Sequence, residues 1–370
     1  MSSVRLRRSR LASPSACTAP PPLVCRWDLD KTYLRSDFDS LRQLLRTALQ
    51  RPEDKVEVPG VAELIKAIKE AAERRGQGAL VYFVSASPPQ IGKAIRDKLA
   101  LDGVPYDGIV FKDQLEHLKR GKLRNLREHV GFKLAELLRG RLEAPRESRE
   151  LLFGDDWESD PLVYSLYADV LGGRVDGERL APLLRRMRVD PVLIDEIMAL
   201  APRAAGHAAV ERIFINLERR SPPAVFRLFG PRVVPTFNYF QTAAVLAAGG
   251  YLEPSDVARV GRVLLAGAGY TARGLENSLH DLVRRGHLPA GAGAALAAVL
   301  RGDGLLPSTP GARRWRLLQR LTRPWWQRRV AASIPASVEA GVLDYDAILD
   351  RLRSPGRRVA DAGAQEGKVP

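Results

Sequence analysis

Between residues 22 and 173 the chain alternates short apolar runs with amphipathic stretches, and this alternation limits its fold more than any other feature. Leu23-Val24-Cys25, Ala79 to Val84, Gly108 to Phe111 and Glu150 to Phe153 read as strands. The runs are short and continuous, as suits strands buried on both faces. Helical spacing falls between them: Phe38 to Gln50, Val61 to Arg75, Gln90 to Leu101, Phe132 to Arg141 and Val163 to Val170. Strand and helix in alternation predict an α/β fold, a Rossmann-like parallel sheet with helices on both faces. Such sheets bind ligands beyond the carboxyl ends of their strands.

From Arg174 onward strand signals nearly vanish, and Ala, Leu and Arg dominate. An all-α domain is expected over 174–355. A Gly-x-Leu/Val pattern recurs before helix starts, at Gly173-Arg174-Val175, Gly250-Tyr251-Leu252, Gly286-His287-Leu288 and Gly341-Val342-Leu343. Its irregular spacing argues for Gly-capped helix hairpins, not a solenoid. Residues 1–21 read as a disordered basic tail and 356–370 as a polar one, leaving 22–173 as the α/β domain.

Net charge is +15, and it is uneven. Residues 1–175 hold 30 Lys and Arg against 25 Asp and Glu; residues 176–370 hold 28 against 18. The second half therefore suits an anionic partner. Lysine is absent between Lys133 and Lys368, a compositional bias toward Arg that does not explain the excess of cations over acids. Two cysteines, Cys17 and Cys25, exclude a disulfide scaffold and fit a reducing, cytoplasmic setting. No apolar window is long enough for a membrane span, and the N-terminus lacks the apolar core of a secretory signal.

The predicted strand ends carry the chemistry. Asp28 and Asp30 follow the first strand, Ser85 and Ser87 the second, and Asp155, Asp156 and Asp160 the fourth. Two carboxylates this close repel, so they need a cation or a shared proton. Mg²⁺, which favours carboxylate and water oxygens, satisfies them. The five histidines have no metal-ligand spacing, and no Gly-rich phosphate loop is present.

Together these segments resemble the four motifs of the haloacid dehalogenase phosphatase superfamily. They are Asp28-Leu29-Asp30-Lys31-Thr32, Ser85 after Tyr82-Phe83-Val84, a lysine on the helix before the last motif, and Gly154-Asp155 through Asp160. Lys133 is the best match for that lysine, with Lys119 and Lys122 as rivals. Val84-Ser85-Ala86-Ser87-Pro88 and Gly154-Asp155 through Asp160-Pro161-Leu162-Val163-Tyr164 are similar to the catalytic domain of actin-patch-type phosphatidate phosphatases, over about residues 22–172. Arg26 and Trp27 stand where the superfamily usually has aliphatic residues, which weakens the expectation of burial on one face of the first strand.

The resemblance implies an Mg²⁺-dependent phosphohydrolase acting through an aspartyl-phosphate. Asp28 is then the nucleophile and Asp30 the acid and base. Thr32, Ser85, Ser87 and Lys133 bind phosphate, and Asp28, Asp30, Asp155 and Asp160 hold the metal. Asp156 is expected to support the site without ligating the metal. The substrate class is a phosphatidate-like lipid or another phosphomonoester. The alternative is a metal-binding scaffold of weak activity that recognises phosphorylated partners or anionic membranes.

Arg313 to Arg329 interleaves seven arginines with Trp315, Trp325 and Trp326. Three readings stand: a helix that packs Trp and Leu inward, peripheral contact with an anionic membrane, or nucleic-acid binding, the least expected of the three.

Overall fold

The computed structural model describes residues 20–30, 32–34, 57–85, 91–111, 126–157, 159–308 and 343–353. Among these residues six strands form one sheet: β1 Leu23–Asp28, β2 Ala79–Ser85, β3 Gly108–Phe111, β4 Glu150–Asp155, β5 Val210–Asn216 and β6 Val233–Thr236. Their order is β3-β2-β1-β4-β5-β6, and every pairing is parallel. Helices α1 (Val61–Arg74) and α2 (Gly92–Leu101) carry the chain outward from β1 to β3. Helix α3 (Leu126–Glu143) then returns it past β1 to β4. The order reverses between β1 and β4, which opens a crevice at their carboxyl ends.

Alternate strand residues face two separate cores. Cys25, Trp27, Phe83, Phe153 and Phe214 join the core under α1, α2 and four later helices, α7 (Tyr239–Ala248), α8 (Pro254–Gly267), α9 (Ala272–Arg285) and α10 (Ala290–Gly302). Leu152, Ile213 and Ile215 join the core under α3, α4 (Asp160–Leu171), α5 (Gly177–Arg186), α6 (Pro191–Ala204) and α11 (Tyr345–Arg353). The expected α/β sheet with helices on both faces, and a helical C-terminal region, are therefore present.

Two strands lie where only helices were expected. The β5 segment carries Glu211 and Arg212 next to its apolar half, which hides its strand character. β6 contains Pro235, which cannot donate to a ladder. It is tolerated because β6 is an edge strand. Among the described residues no strand follows Thr236, so the helical region starts there and not after Gly173.

β1 is buried along its whole length, Arg26 and Trp27 included. Trp27 stacks on Phe153 with ring centroids 3.7 Å apart, and Phe153 stacks on Phe214 at 5.2 Å. The aromatics thus replace aliphatic packing with a ladder across three strands. Arg26 faces the other core and donates to Glu150 through Nε (2.9 Å) and Nη2 (3.1 Å). Glu150 also accepts from Tyr167 Oη (2.9 Å) and Arg141 Nη1 (3.3 Å). Burial opposes ionisation of Glu150, but Arg26 and Arg141 outweigh it and hold its pKa below the usual carboxylate value. Gly140 makes room for this pair: a Cβ there would lie 2.4 Å from Arg26 Nη1.

The Gly-x-Leu/Val pattern has one physical meaning at its three described positions. Gly173, Gly250 and Gly286 have φ between +67° and +81°. The apolar residue two positions on (Val175, Leu252, Leu288) is buried. A left-handed glycine turns the chain, and the apolar side chain plugs the core before the next helix. Gly341-Val342 and the Phe38–Gln50 helix lie outside the described residues.

Candidate active site

β1 and β4 are adjacent and parallel, so their last residues, Asp28 and Asp155, emerge together. Asp160 is the first residue of α4, and Pro161 follows it in the first turn of the helix. Each of these three buried aspartates offers a carboxylate oxygen within 4.8 Å of the others. Lys133, in the middle of α3, reaches in from the second core. Its Nζ lies 2.7 Å from Asp28 Oδ1 and 2.6 Å from Asp160 Oδ1, and it is 1% exposed. A buried charge needs such partners, because desolvation penalises it otherwise.

Gly154 is what allows Asp160 to close on β4. A Cβ at Gly154 would sit 2.4 Å from Asp160 Oδ2. The Asp155 amide donates to that same oxygen at 3.3 Å. The Trp157 amide donates to Asp155 Oδ1 at 2.5 Å, so the turn after β4 fixes both acids. Asp156 points elsewhere and accepts from the amides of Arg219 (2.8 Å) and Ser221 (2.9 Å). It ties the turn after β4 to the turn after β5.

Asp30 and Ser85 meet at the neighbouring strand ends, with Ser85 Oγ donating to Asp30 Oδ2 at 3.0 Å. Both are buried. Thr32 is buried in the turn after β1, and its Oγ1 has no hydrogen-bond partner among the described residues. Its carbonyl accepts from Tyr239 Oη at 2.6 Å. Asp28, Asp30, Ser85, Lys133, Asp155 and Asp160 are therefore brought to one end of the sheet. Lys31, Ser87, Lys119, Lys122 and Arg313–Arg329 lie outside the described residues.

Among the described residues, three buried carboxylates gather here around one ammonium. Carboxylate oxygens gathered in this way fit a hard divalent cation. Burial, with the charges of Asp155, Glu218 and Asp28, raises the Tyr239 pKa well above that of a free phenol. Tyr164, under Asp160 and with its hydroxyl donating to the Phe153 carbonyl, is shifted the same way, again by burial first.

Residues 27–177 match the family model of the phosphatidate phosphatase APP1 catalytic domain. That segment contains every acid of the site and Lys133. It ends before β5, β6 and Tyr239, which complete the sheet and brace the turn after β1. No curated protein matches the chain. Among the described residues, no helix is long and apolar enough to cross a membrane.

Sequence reasoning missed Tyr239 and the steric role of Gly154, and it gave Asp156 a supporting role without identifying the turn it holds. Tyr239 stands in the helical half, 207 residues from its partner, and no motif marks it.

Proposed function

We propose that the chain is an Mg²⁺-dependent phosphohydrolase of the haloacid dehalogenase type whose substrate is a phosphatidate-like lipid. The observation that carries this reading is the buried Asp28–Asp155–Asp160 cluster with Lys133 at adjacent parallel strand ends, inside the segment that matches a phosphatidate phosphatase catalytic domain. Asp28 attacks phosphorus: one carboxylate oxygen forms the new O–P bond while the ester P–O bond breaks. Asp30 gives its proton to the departing alkoxide. As a carboxylate, Asp30 then takes a proton from water as that water attacks the aspartyl-phosphate. Inorganic phosphate leaves and Asp28 is regenerated.

Ser85, Ser87, Thr32 and Lys133 are assigned to the phosphoryl oxygens, where donors and positive charge stabilise the transferring group. Asp28, Asp155, Asp160 and the Asp30 backbone are assigned to Mg²⁺, which when bound supplies a positive charge that offsets the carboxylates and the developing phosphoryl charge. Arg313–Arg329 is the proposed peripheral contact with an anionic bilayer, supported by its arginines and tryptophans.

The test is phosphate release from phosphatidate in detergent micelles with Mg²⁺. Asp28→Asn should abolish it while leaving the thermal midpoint near wild type. Full activity in that variant, or no release from any phosphomonoester by the wild-type chain, overturns the reading.

A further inference from the structure

The turn after β1 closes on itself. The amides of Tyr33 and Leu34 both donate to the Leu29 carbonyl at 3.0 Å, and the Val58 amide donates to the Tyr33 carbonyl at 2.8 Å. Asp30 and Thr32 ride on this turn. One further bond anchors it from the far half of the chain, the 2.6 Å contact from Tyr239 Oη to the Thr32 carbonyl, and that contact is buried. A buried carbonyl without a donor is costly, so this bond favours one placement of the turn.

Tyr239 is itself held firmly. It is the first residue of α7, whose N-cap Asn238 accepts from the Gln241 amide at 3.0 Å and donates to Ser278 Oγ at 3.2 Å. Gln241 in turn accepts from the Phe237 amide at 2.8 Å and donates to the Ser278 carbonyl at 2.9 Å. The Tyr239 ring rests against Trp27 at 5.9 Å, at the end of the Trp27–Phe153–Phe214 ladder. The phenol oxygen is thus fixed by contacts that do not involve its own hydroxyl bond. Removing the oxygen alone leaves the ring packing in place.

We propose that Tyr239 is a positioning residue for the reaction: by holding the Thr32 carbonyl it fixes the Leu29–Leu34 turn, and with it the Asp30 carboxyl that gives and takes the proton. The proposal rests on the phosphohydrolase reading. It also places a working part of the site outside the segment that matches the family model, so residues 27–177 alone do not carry the whole site.

The experiment compares wild type with Tyr239→Phe on two substrates, an alkyl phosphomonoester and p-nitrophenyl phosphate. The alkoxide leaves poorly and needs Asp30's proton; the nitrophenolate leaves without it. A misplaced general acid should lower kcat/KM on the alkyl ester, which reports the steps through departure of the alcohol, by about tenfold or more. The loss in kcat/KM on the aryl ester should be several times smaller, because the dephosphorylation that also uses Asp30 is common to both esters and does not enter this ratio. Amide exchange in peptides covering 29–34 should quicken in the variant, while exchange over β4 stays as in wild type. Equal losses on the two substrates, or unchanged exchange at 29–34, overturn the proposal and leave the phosphohydrolase reading standing. A wild-type chain inert on both esters overturns both. Should the Phe variant not fold, wild-type exchange still decides: amides of 29–34 as fast as those of the 268–271 loop would show that no latch holds the turn.

Discussion

Gly154→Ala tests how the acidic centre is built. The added Cβ would lie 2.4 Å from Asp160 Oδ2, 2.6 Å from its Cβ and 2.8 Å from its Cγ. Ordinary contact between such atoms is about 3.5 Å, so Asp160 must withdraw by roughly 1 Å. Three things resist that. Asp160 begins α4, Lys133 Nζ holds Oδ1 at 2.6 Å, and the Asp155 amide holds Oδ2 at 3.3 Å. Overpacking of this kind costs about 1–3 kcal/mol. At about 2 °C per kcal/mol for a domain of this size, the thermal midpoint should fall by roughly 2–6 °C. Activity should suffer far more, because about 1 Å of misplacement at a reacting centre costs on the order of 100-fold. The assay is phosphate release from phosphatidate micelles across a Mg²⁺ series, with calorimetry on the same samples. A variant with wild-type kcat and wild-type Mg²⁺ dependence would refute the placement of Asp160 in the working site.

Two other outcomes follow from the same geometry. Glu150→Gln keeps the shape of the buried network but strips the charge facing Arg26 and Arg141, and should cost about 3–5 kcal/mol in urea unfolding. Because the folded pKa of Glu150 lies below its ordinary value of 4.5, its stabilisation is complete above that value and fades as pH falls through the lower folded one; the Gln variant should lack this part of the acid slope, and an identical slope in both proteins would count against it. Asp155→Ala should raise the Mg²⁺ needed for half-maximal activity by about tenfold or more, and an unchanged requirement would remove Asp155 from the metal assignment.

Much of this molecule was legible in the sequence because its signals are local. A run such as Ala79 to Val84 reads as a buried strand from neighbouring residues alone, and the polar residues that follow mark the strand's end. The topology rule for parallel sheets then brings those ends together, so the sequence itself groups Asp28, Asp30, Ser85, Asp155 and Asp160. The sequence favours Lys133 over Lys119 and Lys122 because Leu134, Leu137 and Leu138 anchor its helix; all three leucines are buried, and Lys133 pairs with Asp28 and Asp160.

Other features are properties of pairing and were decided only by the tertiary structure. Arg26 looks misplaced in an apolar strand until Glu150, 124 residues away, is seen beside it. β5 and β6 have weak strand signals of their own, and become strands because β4 offers an edge to one and β5 to the other. Tyr239 meets Thr32 only because β6 delivers the start of α7 to the carboxyl end of the sheet. Local periodicity encodes which residues are strand or helix. It carries no record of which distant donor will find a given buried carbonyl, since that depends on which strands lie side by side in the sheet.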